Sequence, residues 1–89
     1  MMKTIYKYPI EIMDSQIVTM PIGSHALSVQ MQDNQLCIWV LLETSLVSWN
    51  RQVRIFGTGN PINLKDRWEF LGTVQDDYYV WHVFIEDEE

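Results

Sequence analysis

Apolar residues in this chain recur at every second position. Nowhere do they hold the i, i+3, i+4 spacing over the roughly ten residues that an amphipathic helix needs. Leu27, Val29 and Met31 alternate with Ser28, Gln30 and Gln32, the pattern of a half-buried strand. Thr4 to Ile12 is rich in Ile and Tyr, and Pro9 marks an edge or a break in its ladder. A turn at Asp14-Ser15 leads to a short strand, Gln16 to Met20, which stops at Pro21 and turns again at Gly23-Ser24. Asp33-Asn34 is a two-residue hairpin signal, since both residues tolerate positive φ. Leu36 to Leu42 is apolar on both faces and reads as a central strand covered on two sides.

Residues 44 to 50 read as irregular and carry Trp49, followed by a strand from Gln52 to Phe56. Gly57-Thr58-Gly59-Asn60-Pro61 breaks that strand, and Ile62 to Asp66 is a short helical turn or plain loop. Glu69 to Gln75 is a strand in which Gly72 marks a bulge or close packing. Asp76-Asp77 turns, and Tyr78 to Ile85 is the last strand. The expected fold is therefore all-β, a small barrel or two-layer sandwich of six or seven mostly antiparallel strands. The segments from Gln32 to Glu43 and from Gln75 to Glu86 also match at an offset of 43 residues. Two equivalent hairpins about a pseudo-two-fold axis would bring Trp39 near Trp81; any two hairpins with acidic turns would look as similar.

A chain of 89 residues holds one core. The reading is a single domain over residues 1–85 with an acidic tail at 86–89. Net charge is −6, which argues against a binder that works by neutralising phosphates, so no nucleic acid is expected. The charge is uneven, with −2 over residues 1–43, +2 over 44–74 and −6 over 75–89, where no base occurs. The acidic end reads as a solvated tail, or as a patch that meets a basic partner. The longest apolar run, Leu36 to Leu42, is far short of the ~20 residues of a membrane helix. The single cysteine, Cys37, allows neither an internal disulfide nor a zinc site, which suits a reducing compartment.

The most site-like stretch is the loop after Phe56. Gly57, Thr58, Gly59 and Asn60 can present successive backbone N–H groups as an anion-binding nest, with Arg54 supplying charge and Trp81 and His82 a ring and an imidazole. The plainer reading is a tight turn whose glycines allow positive φ. His82 lies among apolar neighbours on a strand, as a packed group with one hydrogen bond or a poised base. Trp49 and Trp68 stand beside Arg51 and Arg67, the residue types that anchor interfaces. Four tryptophans are too many for so small a core to hide, so a homo-oligomer is expected. No nucleophile elbow or metal-ligand spacing occurs, and no pair of carboxylates has a spacing that demands acid/base work, so the chain reads as no enzyme, without metal or cofactor.

The order of these pieces resembles a known family. The opening from Met2 to Pro9, the strand from Leu27 to Gln30 followed by Cys37 and Trp39, and the loop Gly57-Thr58-Gly59-x-Pro61-Ile62 carry the likeness. So does the ending, from Gly72-Thr73 and Gln75 to Trp81-His82-Val83-Phe84. Together they resemble short uncharacterised proteins encoded by tailed bacteriophages and prophages. Asp76-Asp77-Tyr78 departs from that pattern, which usually has glycines in the last turn, and the acidic end is particular to this chain. The resemblance implies a phage origin and action in the host cytoplasm, with no site residues to carry over. By analogy with other short phage proteins, the expected role is a non-catalytic accessory one. It would bind a host defence protein or a small anionic, nucleotide-like ligand; the alternative is a minor structural or assembly component of the particle.

Overall fold

The alternation is realised as seven strands. They are β1 (Thr4–Pro9), β2 (Ser15–Pro21), β3 (His25–Gln32), β4 (Gln35–Leu42), β5 (Ser48–Gly57), β6 (Trp68–Asp76) and β7 (Tyr79–Glu86). The computed structural model describes residues 2–65 and 67–87, and no helix occurs among them. The strands form two antiparallel sheets, β1-β4-β3 and β2-β5-β7-β6, so the fold is a two-layer sandwich and not a closed barrel. Asp33 and Asn34 join β3 to β4 with φ of 51° and 64°, as a two-residue hairpin of this kind demands.

Period two then sorts the side chains. Leu36, Ile38, Val40 and Leu42 of β4 face Val53 and Ile55 of β5 and Val83 and Ile85 of β7, all at most 3% exposed. Burial of each such side chain contributes about 1.5–3 kcal/mol. The layers also meet where β3 lies against β6. There a Cβ on Gly72 would come within 2.9 Å of Val29 Cγ1. The β6–β7 register shifts between Phe70 and Gly72, so the bulge and the close packing expected at this glycine both occur.

Several expected boundaries move. The first strand ends at Pro9; Ile10 turns into the core at 4% exposure, and its N–H donates to the Leu36 carbonyl at 2.9 Å. Residues 48–50, expected to be irregular, begin β5, because Met20 and Pro21 of β2 supply ladder partners for Trp49 and Ser48. The last turn is Asp77-Tyr78, while Asp76 pairs with Tyr79 inside the ladder. Residues 61–65 form no helical turn, and Asp66 lies outside the described residues. β4 is central, and among the described residues no third layer covers its outer face, where Cys37 is buried and Trp39 and Leu41 are half-buried. The offset of 43 aligns inward positions such as Val40 with Val83 and Leu42 with Ile85, yet leaves the two turns one residue out of step. Trp39 faces out from its sheet while Trp81 shares the inner face of the other, so the two are not neighbours.

Candidate functional site

The loop after β5 is a closed turn. The Asn60 N–H donates to the Gly57 carbonyl at 3.1 Å, and Gly59 takes φ +90°, which a type II turn requires at its third position. Gly57 is the ladder partner of Trp81, and a Cβ there would meet the indole at 3.4 Å and Asn60 Nδ2 at 3.0 Å. Glycine thus lets the turn rest on the tryptophan. On the opposite face of the sheet His82 holds the turn down. Its Nε2 pairs with Thr58 Oγ1 at 2.8 Å and its Nδ1 with Thr73 Oγ1 at 3.0 Å. Hydroxyls can donate or accept, so either tautomer satisfies both contacts.

A cleft of about 420 Å³ opens between this turn and the β6–β7 hairpin, within the ~300–1,000 Å³ typical of ligand sites. Gly57, Thr58 and Asn60 line one side, and Tyr78, Tyr79, Val80 and Trp81 the other. Tyr79 and Trp81 stack with centroids 5.6 Å apart and planes 18° from parallel. Tyr78 is 97% exposed and Tyr79 61%, while the Trp81 indole nitrogen is buried with no hydrogen-bond partner. Five of the expected ligand residues therefore gather here: Gly57, Thr58, Asn60 and Trp81 in the lining, and His82 behind it. Gly59 lies at the tip of the turn. Tyr78 and Tyr79 were not among the candidates; period two from Trp81 puts Tyr79 on the same face and would have found it.

Arg54 does not join the cleft. Its Nε donates to the Asp14 carbonyl at 2.9 Å, and its guanidinium sits 5.0 Å over the Phe56 ring, on the outer face of the sheet. Phe56 in turn meets Phe84 edge-on at 5.9 Å. The nest expected for an anion is also spent in part, because the Asn60 amide already serves the Gly57 carbonyl. No lysine or arginine lines the cleft.

The expected interface residues lie at the far end of the sheet, and one of them is not at the surface. Arg51 is 1% exposed, because β5 starts early enough to place it on the inner face opposite Val18. Its Nη1 donates to the Ser24 carbonyl at 2.9 Å, and its Nε to the Glu86 carbonyl at 3.1 Å. Its Nη2 donates to that same Glu86 carbonyl, and the guanidinium lies 5.7 Å from the Trp49 ring centroid. Arg51 is an internal brace. Trp49 and Arg67 border a small hollow of about 150 Å³ beside it. Trp68, half-buried, edges a separate groove with Arg54 and Lys65. Glu86, expected to begin the tail, is the last residue of β7, and its Oε1 accepts the Gln52 N–H at 2.6 Å. Asp87 N–H donates to the Arg67 carbonyl at 2.8 Å, and the rest of the tail, Glu88 and Glu89, lies outside the described residues.

The molecule is thus a small antiparallel β-sandwich with an aromatic cleft at one end, and among its described residues no group of three or more His, Cys, Asp or Glu could hold a metal ion. Over residues 1–89 the chain belongs to the family described as Domain of unknown function (DUF7352). No curated protein and no solved structure matches it.

Proposed function

We propose that the chain is a non-catalytic binding protein that engages a partner protein through the cleft between the 57–60 turn and the β6–β7 hairpin. The observation that carries this reading is the exposure of Tyr78 and Tyr79, 97% and 61%, beside the half-buried Trp81. Tyrosine and tryptophan supply large contact area at low entropic cost and dominate interface energetics. A small anionic ligand has less support, since no base lines the cleft and the net charge is −6. His82 is engaged through both ring nitrogens as a support for the turn, which favours a binding role over a base in catalysis. With the resemblance to short phage and prophage proteins, the partner would be a host defence protein met in the host cytoplasm. A role in the phage particle is the alternative.

The test is recovery of a partner from a bacterial host by the tagged protein and by a Tyr78→Ala/Tyr79→Ala variant. The expected result is a stoichiometric partner with the wild type that the variant loses. Equal recovery by both would move the working surface elsewhere. A bound mass of a few hundred daltons in the native mass spectrum would turn the reading to ligand sequestration. Presence of the protein in purified particles would favour the structural alternative.

A further inference from the structure

The segments that build the cleft carry charge of one sign. Asp76 is the direct cross-strand partner of Tyr79, and period two puts both on the face that carries Trp81. Asp77 follows in the turn with φ 54°. Residues 57–60 and 73–82, which build this end of the sheet, contain two carboxylates and no lysine or arginine. The four bases of the chain's middle stretch lie elsewhere: Arg51 under the far end, Arg67 at the hollow beside it, Arg54 over Phe56, and Lys65 at the groove edged by Trp68. The cleft itself offers ring faces and amide and hydroxyl groups, with no charge of its own.

Resting on the protein-binding reading above, we infer that the cleft takes a cationic side chain, an arginine or lysine from a basic segment of the partner, laid against the exposed face of Tyr79 and balanced by Asp76. Aromatic faces attract cations through their quadrupole, and a carboxylate beside the ring adds Coulomb attraction. A phosphate group would meet the reverse field, and a neutral ring or proline would leave the carboxylates without a role. The net charge of −6 steers a basic segment toward the molecule before contact.

The probes are tetra-arginine, tetra-lysine, tetra-proline, tetra-glutamate and adenosine monophosphate. Each is titrated into ¹⁵N-labelled full-length protein while the Trp81 indole and Tyr79 amide signals are followed. Tetra-arginine and tetra-lysine are expected to shift both signals saturably, with affinity falling as salt is added. Tyr79→Ala is expected to weaken binding about tenfold, and Asp76→Asn about threefold. Tyr78 is 97% exposed, so Tyr78→Ala is a variant whose fold is not in question, and it should weaken binding as well. Shifts produced by tetra-proline or the nucleotide but not by the cations would overturn the inference. So would cation binding that Tyr78→Ala, Tyr79→Ala and Asp76→Asn all leave unchanged. If the cations fail while the Tyr78/Tyr79 variant still loses its partner, the cationic inference falls and the binding reading stands; if the partner is also retained, both fall.

Discussion

Arg51 shows how one residue can look like a surface anchor in the sequence and be a brace in the fold. Its charge is removed from water and met by the Ser24 and Glu86 carbonyls, one from the connection between the two sheets and one from the end of β7. Leucine in its place would fill part of the volume but leave those carbonyls without their donor, at a cost of about 2–3 kcal/mol. Arg51→Leu should therefore lower Tm by about 10–20 °C in a chain this size. Arg51→Lys should fall between, because an ammonium cannot span both carbonyls in the guanidinium's fork. An unchanged melting curve for Arg51→Leu would mean that water takes over both carbonyls. Gly72 makes a second residue-scale case. A methyl there lands 2.9 Å from Val29 Cγ1, and overpacking of this kind costs about 1–3 kcal/mol. Denaturant titration should show Gly72→Ala destabilised, with Val29→Ala in the same chain recovering part of the loss, since the two sites touch.

Among the elements, β1 is the one the rest of the fold covers least. It pairs with β4 alone, and all its residues but Tyr8 are exposed, Ile5 at 53% and Tyr6 at 47%. Burial holds the Tyr8 hydroxyl above its ordinary pKa of 10.0, with Tyr6 adding to the effect. A free edge of this sort invites another strand, and lysine and proline are common means of discouraging it. Here Lys7 donates to Gln32 at 2.7 Å on its own sheet, and Pro9 closes the strand. Replacing both with threonine should increase self-association, read by sedimentation at rising concentration; a variant that sediments as the wild type does would show that the edge is guarded by other means. The seven strands were legible because alternation, Asp33-Asn34, the glycines and Pro9 are local signals that agree with one another. The start of β5 was not legible, because Trp49 and Ser48 are made strand by Met20 and Pro21, some thirty residues earlier. The same long-range pairing hid the role of Arg51. For the cleft, the Gly57–Asn60 turn and Trp81 could be read from glycine spacing and strand position. Tyr79 could have been read too, by counting two back from Trp81. The displacement of Arg54 could not, since the Asp14 carbonyl that receives it is fixed by the β2–β5 register.

At the scale of the whole molecule the sandwich is a thin slab, 42 × 32 × 16 Å, with its chemistry divided between ends. One end holds the aromatic cleft, with Asp76 as the ladder partner of Tyr79; the other holds Arg51 and Arg67 against the close of β7. This division separates two roles for the acidic C-terminus that the sequence presents as one run from Glu86 to Glu89. Glu86 and Asp87 are structural, through the Arg51 and Gln52 bonds to Glu86 and the Asp87 N–H to the Arg67 carbonyl. Truncation after Ile85 removes all of these and should lower Tm by at least several degrees, by the same reasoning as for Arg51→Leu. Truncation after Asp87 keeps them and should melt closer to the full chain. That shorter deletion removes two negative charges while keeping the Glu86 and Asp87 bonds, and its effect is read on the binding of a basic partner. It should slow association at low salt and have little effect at high salt, where exposed charges are screened beyond about a Debye length. If instead the two truncations melt alike, the bonds at Glu86 and Asp87 contribute nothing to stability, and the acidic end acts only through its charge.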